Sequence, residues 1–250
     1  MICLDNFITG EQSNIEHLLQ NPNFIFINHD ISKPLNLLDY PELERFRVEF
    51  QGVQEIYHLA CPTSPKRFEE IVEETMDTNV LSTKNILEVA KQYNAKLLFA
   101  SSSVVYGARK EDKPFFHEEY VGMLDQNSPR AVYDLGKKFS ETMVTTYHKK
   151  YKLRTRIARI FRTYGPRMTL NDGHMIPDFI GAALQNEELV IYGDESFNTT
   201  LSYVSDVVEG LVQLMNVSND HLTVNIGSDQ DLPLVSVADK IIEMTGSQSQ

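Results

Sequence analysis

Short apolar runs alternate with helical periodicities over the first two thirds of the chain. Helical patterns occupy Glu11–Leu19, Asn79–Tyr93 and Ala131–Lys150. Runs typical of buried strands stand at Met1–Leu4, Phe24–Asn28 and Val53–Ala60, from Lys96 to the serines 101–103, and at Thr155–Phe161. Such alternation predicts an α/β fold, a doubly wound parallel sheet with helices on both faces.

The pattern becomes irregular after Tyr164, so we expect a small C-terminal portion with a different role. Helical periodicity returns at Met175–Gln185, Ser205–Met215 and Val235–Met244. Short strands are predicted at Leu189–Tyr192, Leu201–Val204 and Thr223–Ile226. No repeat or linker marks an independent domain.

Composition narrows the function classes. The chain of 250 residues has 42% hydrophobic and 23% charged residues, a formal charge of −12 and a pI near 5.0, which argue against a nucleic-acid or anionic-membrane surface. No apolar run approaches the roughly 20 residues of a membrane helix, and the N-terminus has no signal-peptide pattern. Cys3 and Cys61 lie in apolar runs, so we expect buried free thiols and a cytoplasmic location. We expect no metal site.

The candidate catalytic residues lie in a serine run and in a later predicted helix. Tyr133 and Lys137 are four residues apart on one helical face, and the serines 101–103 end a predicted strand. A hydroxyl, a phenol and an ammonium can form a proton relay. The same spacing recurs at Tyr106 and Lys110, in a polar stretch where we do not expect helical geometry. The alternative is a core tyrosine, a surface lysine and a strand-end serine.

Polar residues also follow the other predicted strands. In parallel sheets ligands bind beyond the carboxyl ends of the strands, where Asp5, Asp30, Cys61 and Ser102 fall. A carboxylate at Asp5 can accept both ribose hydroxyl hydrogen bonds and would repel a 2′-phosphate, which favours NAD over NADP. The alternative for either aspartate is an ordinary turn residue.

The order of strand, serine run, loop and Tyr-x-x-x-Lys helix resembles the extended short-chain dehydrogenase/reductases, the NAD-dependent epimerase/dehydratase family. LDNFITG, YHLACPTSP, YDLGKKFSET, RIARIF, TYGPRM and YVSDVVEGL are most similar to its UDP-glucuronate decarboxylase branch. The resemblance implies a Rossmann-like NAD-binding domain at 1–161 that lacks its first strand-helix unit. It also implies a mainly substrate-binding portion at 162–250, from which 201–227 returns to the first domain.

The resemblance further implies roles for individual residues. Tyr133, as phenolate, takes the proton of a sugar 4-hydroxyl while hydride passes to NAD, Ser102 holds that hydroxyl, and Lys137 favours the anion. The implied cofactor contacts are Asp5, Asn6, Asp30, Ile31, Leu59, Ala60, Tyr133 and Lys137. The implied contacts to a nucleotide-diphosphate sugar, expected to be a UDP-sugar, are Arg162, Arg167, Met175, Ile176, Val190 and Tyr192. A homodimer through Asn79–Tyr93 and Ala131–Tyr151 is also implied.

Four departures from the family pattern stand out. No glycines form a G-x-x-G-x-x-G phosphate loop before Asp5. Arg162 stands where asparagine usually precedes TYGP, and Thr199 replaces the arginine of a G-D-x-x-x-x-R segment. Val104 occupies the place of the glutamate that the dehydratase and decarboxylase branches typically have two residues after the catalytic serine or threonine. Valine makes dehydration the least expected reaction and weakens decarboxylation, whereas 4-epimerisation does not use that carboxylate. A decarboxylase, a 4-epimerase, a scaffold protein without its cofactor loop, and part of a longer enzyme all stay open.

The missing loop generates a first prediction. These 250 residues should bind NAD weakly or not at all, because the glycine loop normally presents backbone N–H groups and a helix N-terminus to the pyrophosphate. Titration calorimetry measures this directly. Micromolar affinity would contradict the prediction, whereas an N-terminal extension that carries such a loop should bring binding back.

Overall fold

The computed structural model describes residues 1–108, 115–191 and 198–249. The strands are β1 (Ile2–Asp5), β2 (Ile25–Asn28), β3 (Glu55–His58), β4 (Lys96–Ser102), β5 (Thr155–Ile160), β6 (Thr163–Tyr164), β7 (Asn198–Thr199), β8 (Ser202–Tyr203), β9 (His221–Ile226) and β10 (Leu232–Pro233). The α-helices are α1 (Val48–Gln51), α2 (Val72–Asp77), α3 (Thr83–Tyr93), α4 (Ala131–Tyr151), α5 (Met175–Gln185), α6 (Val204–Asn216) and α7 (Leu234–Thr245).

The main sheet is parallel and interrupted. A four-stranded sheet has the order β3-β4-β5-β9, and β1 and β2 form a separate parallel pair. Within the described residues no strand pairs with the second edge of β1, so the sheet is broken between β1 and β3. The α/β fold and the parallel sheet are therefore confirmed, and His221–Ile226 adds a strand to its far side.

Helices cover both faces of the sheet because alternate residues of β4 point in opposite directions. Leu97 and Phe99 are buried in a cluster with side chains of α3 and α4, such as Leu87 and Val144. Leu98 is buried on the opposite face, in a cluster with side chains of α6 that include Leu211. This layering brings the N-terminal half of α4 close to the carboxyl end of β4.

Close packing joins α4 to the helix before it. A five-residue π-turn at Thr78–Ser82 connects α2 and α3, and Ser140 of α4 donates a hydrogen bond of 2.7 Å to the carbonyl oxygen of Asn79 within that turn. Gly136 lies against the same residue, since a Cβ there would be only 2.7 Å from the Asn79 side-chain nitrogen. A larger residue at 136 would push α4 away from the π-turn.

The buried face of α4 differs from its apolar stripe. The sequence shows apolar side chains at Leu135, Phe139 and Met143, but Phe139 is 52% exposed and Leu135 is 36% exposed. The residues buried in α4 are instead mostly polar: Tyr133, Lys137, Ser140, Glu141 and Val144. The helix therefore turns its chemistry-bearing side inward.

Two local predictions were wrong. Glu11–Leu19 forms two short 3-10 turns, at Gln12–Asn14 and Glu16–Leu18, in place of one helix. The 3-10 turn Ser103–Tyr106 ends at Tyr106, and Lys110 lies outside the described residues, so the spacing of Tyr106 and Lys110 stays untested. Residues 189–191 are not a strand, and Tyr192 lies outside the described residues.

The C-terminal portion has its own small core. Phe179 of α5 packs with Leu234 and Ala238 of α7, and β7 pairs with β10 in an antiparallel ladder. The division into domains at residue 161 stays a prediction.

Cys3 and Cys61 are free and partly buried, less enclosed than expected from their apolar runs. Within residues 1–108, 115–191 and 198–249, no helix is long and apolar enough to cross a membrane.

The packing generates a second prediction. Leu98→Ala should lower the free energy of unfolding by about 2–5 kcal/mol, because Leu98 is 0% exposed and its removal leaves a cavity between the sheet and α6. Leu184→Ala is the matched control at a position that is 63% exposed, where the change should stay within about 0.5 kcal/mol. Urea unfolding measures both, and equal losses would contradict the assigned core.

Candidate active site

The structure brings together the hydroxyl of Ser102, the phenol of Tyr133 and the ammonium of Lys137. Ser102 is the last residue of β4, while Tyr133 and Lys137 lie one turn apart in the first two turns of α4. The phenol ring of Tyr133 is 7% exposed and stacks on Phe68, with 5.1 Å between ring centroids. The three candidate catalytic groups therefore share one place at the carboxyl end of the sheet.

Lys137 is held in a fixed position although it is charged and buried. Its Nζ donates a hydrogen bond of 2.9 Å to the carbonyl oxygen of Ala100 in β4 and lies 5.0 Å from the ring centroid of Phe99. The same Nζ is 5.9 Å from the ring centroid of Tyr133. A buried ammonium keeps its charge only with such partners, so Lys137 supplies a positive charge beside the phenol.

Opposing effects act on the phenol of Tyr133. Burial raises its pKa above the ordinary value of 10.0, while Lys137 lowers it and Cys61 raises it. The Ser102 hydroxyl interacts with the phenol and also lowers its pKa, as does Arg130. Burial outweighs Lys137, Ser102 and Arg130, so the pKa of Tyr133 is raised overall, and a further positive charge beside the phenol is what a tyrosine base would need here.

A hydrogen-bonded network supports this end of the sheet. Ser101 donates a hydrogen bond of 2.6 Å to Glu141, and Arg159 of β5 pairs with both oxygens of that carboxylate at 2.9 and 2.7 Å. Arg159 also donates to the hydroxyl of Tyr106 at 2.9 Å. These paired charges tie α4 to β4 and β5, so the position of Tyr133 relative to Ser102 follows from them.

A second group of predicted residues lines a cavity of about 170 Å³ at the ends of β1, β2 and β3. Asp5 accepts a hydrogen bond of 2.7 Å from the backbone of Phe7, and Asp30 accepts one of 2.9 Å from the backbone of Ser32. Although burial works to raise it, the bonds from Ser32 hold the pKa of Asp30 below its ordinary value. All six residues predicted only as cofactor contacts line this cavity: Asp5, Asn6, Asp30, Ile31, Leu59 and Ala60.

The predicted substrate residues divide into two groups. Arg162 donates to the hydroxyl of Thr199 and lies 3.9 Å from the sulfur of Met175, the first residue of α5, which Ile176 follows. Arg167 points elsewhere, because its guanidinium donates to the carbonyl oxygen of Asn14 at 3.0 Å. Val190 is 52% exposed, and Tyr192 lies outside the described residues.

Sequence reasoning missed three residues around the phenol and Arg162. Phe68 supplies the ring under Tyr133, while Arg130 and His174 interact electrostatically with Arg162. Burial lowers the pKa of His174, Asp172 and Asp178 raise it, and the two arginines lower it further. Arg130 precedes the catalytic helix directly, which is the one sequence signal that could have singled it out.

The fold and this site define a class of protein: parallel α/β proteins in which a serine at the end of one strand meets a tyrosine and a lysine from a helix. The family model described as the NAD dependent epimerase/dehydratase family matches residues 2–227. The chain belongs to this family.

Two relatives illustrate the similarity within the family. UDP-glucuronic acid decarboxylase 1 of Xenopus tropicalis is 43% identical over 247 residues, which cover 98% of this chain and 54% of that protein. UDP-glucuronic acid decarboxylase 1 of Arabidopsis thaliana is 38% identical over 245 residues, with 98% and 52% covered. The chain spans about half the length of these curated relatives.

Solved structures share the fold. The dTDP-glucose 4,6-dehydratase of Bacillus anthracis, solved in complex with NAD, aligns with a TM-score of 0.80 and 25% identity over 100% of this chain and 74% of that one. The UDP-glucuronic acid 4-epimerase of Bacillus cereus, solved with UDP-glucuronic acid and NAD, aligns with a TM-score of 0.81 over 100% of this chain and 76% of that one. At 23% identity the latter shows the fold alone.

His58, the last residue of β3, generates a third prediction. Its ring is buried, and burial together with Lys137 lowers its pKa from 6.5 to about 3. Below pH 6.5 the unfolded chain binds a proton at His58 that the folded chain does not bind. Stability should therefore be complete above pH 6.5 and fall by about 1.4 kcal/mol per pH unit as the pH drops towards 3.

Urea unfolding from pH 7 to 5 measures this loss, with variants that separate His58 from the other titrating groups. His58→Phe should remove this part of the pH dependence. His17→Phe, at an exposed position, is the matched control and should keep the wild-type slope. Identical slopes for wild type and His58→Phe would show that His58 is not the group responsible.

Proposed function

We propose that this chain carries the active site of an NAD-dependent nucleotide-sugar enzyme that works through a 4-keto intermediate, most like a UDP-glucuronate decarboxylase. The observation that carries the proposal is the meeting of Ser102, Tyr133 and Lys137 at the end of β4. A scaffold protein has no need of a buried ammonium beside a buried phenol. The family and the identity to UDP-glucuronic acid decarboxylases support the same assignment.

The residues fit part of an NAD molecule. Asp5 and Asp30 line one cavity at the strand ends, where carboxylates can accept hydrogen bonds from the adenosine half. In this proposal Tyr133 and Lys137 would face the nicotinamide half. The pyrophosphate, however, has no glycine loop in these 250 residues. When bound, NAD would accept the hydride from C4 of the sugar.

The chain's own groups carry the proton chemistry. The Tyr133 phenolate takes the proton of the sugar 4-hydroxyl, so the O–H bond breaks as C4 becomes a ketone. Ser102 holds that hydroxyl in reach, and Lys137 favours the phenolate before the transfer. With a carboxylate at C5, the product is a β-keto acid, and loss of CO₂ from it requires no protein base.

Val104 sharpens the choice of reaction. It is half-buried in the 3-10 turn after β4, and its N–H donates to the Ser102 hydroxyl at 3.4 Å. A 4,6-dehydratase must remove the C5 proton and expel the C6 hydroxyl, which calls for a carboxylate at this place, and valine has none. Dehydration is therefore the least expected reaction, whereas decarboxylation is weakened but survives, because the loss of CO₂ requires no base.

A 4-epimerase is the second candidate, and a specific observation favours it. Epimerisation at C4 uses only the Ser102, Tyr133 and Lys137 relay, together with room for the keto-sugar to turn over, and the relay is what the site retains. Similarity along the whole chain weighs towards the decarboxylase, so we place it first.

The partner, assembly and compartment are part of the proposal. The substrate is a UDP-sugar, and the protein acts as a cytoplasmic homodimer. Free thiols at Cys3 and Cys61 agree with a reducing compartment. Phe139 of α4 and Leu81 of the π-turn are 52% and 41% exposed on helices that we expect to meet in the dimer. Apolar side chains at these positions become buried if the helices of two copies pack together.

The assay follows CO₂ and the sugar product after addition of NAD and UDP-glucuronate. It is run on this chain and on a form extended at its N-terminus by a strand and a glycine loop, because the pyrophosphate contacts depend on that loop. The extended form should release CO₂ and make a UDP-pentose. Tyr133→Phe should lower the rate by about 10²–10⁴-fold. Tyr151→Phe, at the exposed end of α4, is the control and should keep activity.

Other products would decide between the alternatives. UDP-galacturonate without CO₂ would make the epimerase correct. A 4-keto-6-deoxy sugar from a hexose substrate would overturn the inference from Val104. An extended form that binds NAD but converts neither UDP-glucuronate nor the hexose substrate would favour the non-catalytic alternative.

A further inference from the structure

Two departures from the family pattern meet in space. A guanidinium nitrogen of Arg162, just after β5, donates a hydrogen bond of 2.7 Å to the hydroxyl oxygen of Thr199 in β7. The two residues are 37 positions apart in the chain. In the sequence, Arg162 is an arginine where the family pattern has asparagine, and Thr199 is a threonine where the pattern has arginine. In the structure these two residues are in contact.

Thr199 is a rigid support for the guanidinium. It is 4% exposed and lies in the antiparallel ladder with β10. Its own hydroxyl hydrogen is directed to the carbonyl oxygen of Thr200 at 3.4 Å, which leaves a lone pair to accept from Arg162. The sulfur of Met175 contacts the same guanidinium nitrogen at 3.9 Å. One edge of the guanidinium is thus fixed by neutral partners.

The remaining donors of Arg162 have no carboxylate partner within the described ranges. A guanidinium carries five N–H donors, and the contacts with Thr199 and Met175 use one nitrogen. Its charged neighbour is cationic, since burial and then Arg130 lower the pKa of Arg162, and both arginines also lower the pKa of His174. Arg130 has a carboxylate of its own, since it lies 3.6 Å from Asp134. Of the two arginines, Arg162 is therefore the one without a carboxylate partner among the described residues.

We propose that Arg162 and Thr199 form an exchanged pair, in which Arg162 supplies the guanidinium that the family pattern places at 199, and that this group binds the diphosphate of the nucleotide sugar. This inference rests on the proposed function and adds a residue-level assignment to it. A diphosphate suits the place because its oxygens accept bidentate guanidinium hydrogen bonds and its charge offsets two neighbouring arginines. Thr199 is then a positioning residue.

Titration calorimetry of the chain with UDP and with uridine tests the assignment, because only UDP carries the phosphates. Arg162→Ala should weaken UDP binding by about 10- to 100-fold and leave uridine binding unchanged. Arg162→Lys should recover only part of the loss, since lysine cannot form the bidentate contact. Arg154→Ala, at an exposed arginine that donates to Asn94, is the matched control and should bind UDP like wild type.

The exchange itself is tested by moving the guanidinium back. Thr199→Val should weaken UDP binding about threefold or more, and Thr199→Ser, which keeps the hydroxyl, should not. Arg162→Asn should weaken it like Arg162→Ala. The double variant R162N/T199R should return to within about threefold of wild type, because one guanidinium again faces the pocket. Circular dichroism confirms that each variant is folded.

The outcomes separate this inference from the proposed function. Wild-type UDP affinity in Arg162→Ala would overturn the assignment of Arg162 and leave the nucleotide-sugar function standing. Unchanged UDP affinity with weakened binding of UDP-glucuronate would place Arg162 at the sugar carboxylate and so also overturn the diphosphate assignment. If R162N/T199R loses as much UDP-binding free energy as Arg162→Asn and Thr199→Arg lose together, the exchange is overturned. A wild-type chain that binds neither UDP nor UDP-glucuronate would contradict both proposals.

Discussion

The buried polar face of α4 is the constraint on which the rest of the structure depends. The ammonium of Lys137 and the carboxylate of Glu141 are both buried on this face, away from water. Each needs hydrogen-bond partners in the protein to avoid a large desolvation cost. Lys137 finds the Ala100 carbonyl, and Glu141 finds Ser101 and Arg159. These contacts fix the rotation of α4 about its axis and its distance from the sheet. Tyr133 is held beside Ser102 as a result.

The same sheet both builds and limits the proposed cofactor site. Parallel strands place their carboxyl ends on one edge, so Asp5, Asp30 and Ala60 line a single cavity although they are far apart in sequence. Between β1 and β3 the sheet is broken, and a strand with a glycine loop is what would bring pyrophosphate donors to this edge. In the binding mode that we propose, the chain therefore supplies groups for the adenosine and nicotinamide ends of NAD but no glycine loop for its pyrophosphate.

The contacts of Val104, Arg162 and Thr199 show how the site accommodates its departures from the family pattern. Val104 removes a carboxylate from the neighbourhood of the relay without disturbing it, since the contact of its backbone with Ser102 does not depend on the side chain. Arg162 and Thr199 are in contact, since the guanidinium donates to the threonine hydroxyl. In the exchange that we propose, the arginine expected at 199 is supplied from 162.

Local sequence determined the parallel α/β architecture, most element boundaries, and the candidate residues at strand ends and on the Tyr-x-x-x-Lys helix, because hydrophobic period and strand order are properties of neighbours in the chain. It could not determine which face of α4 is buried. Apolar Phe139 lies outward and Lys137 inward, since partners from distant strands stabilise the polar face. Nor could it show Phe68 under the phenol or the contact of Arg162 with Thr199, because only tertiary packing brings such distant residues together.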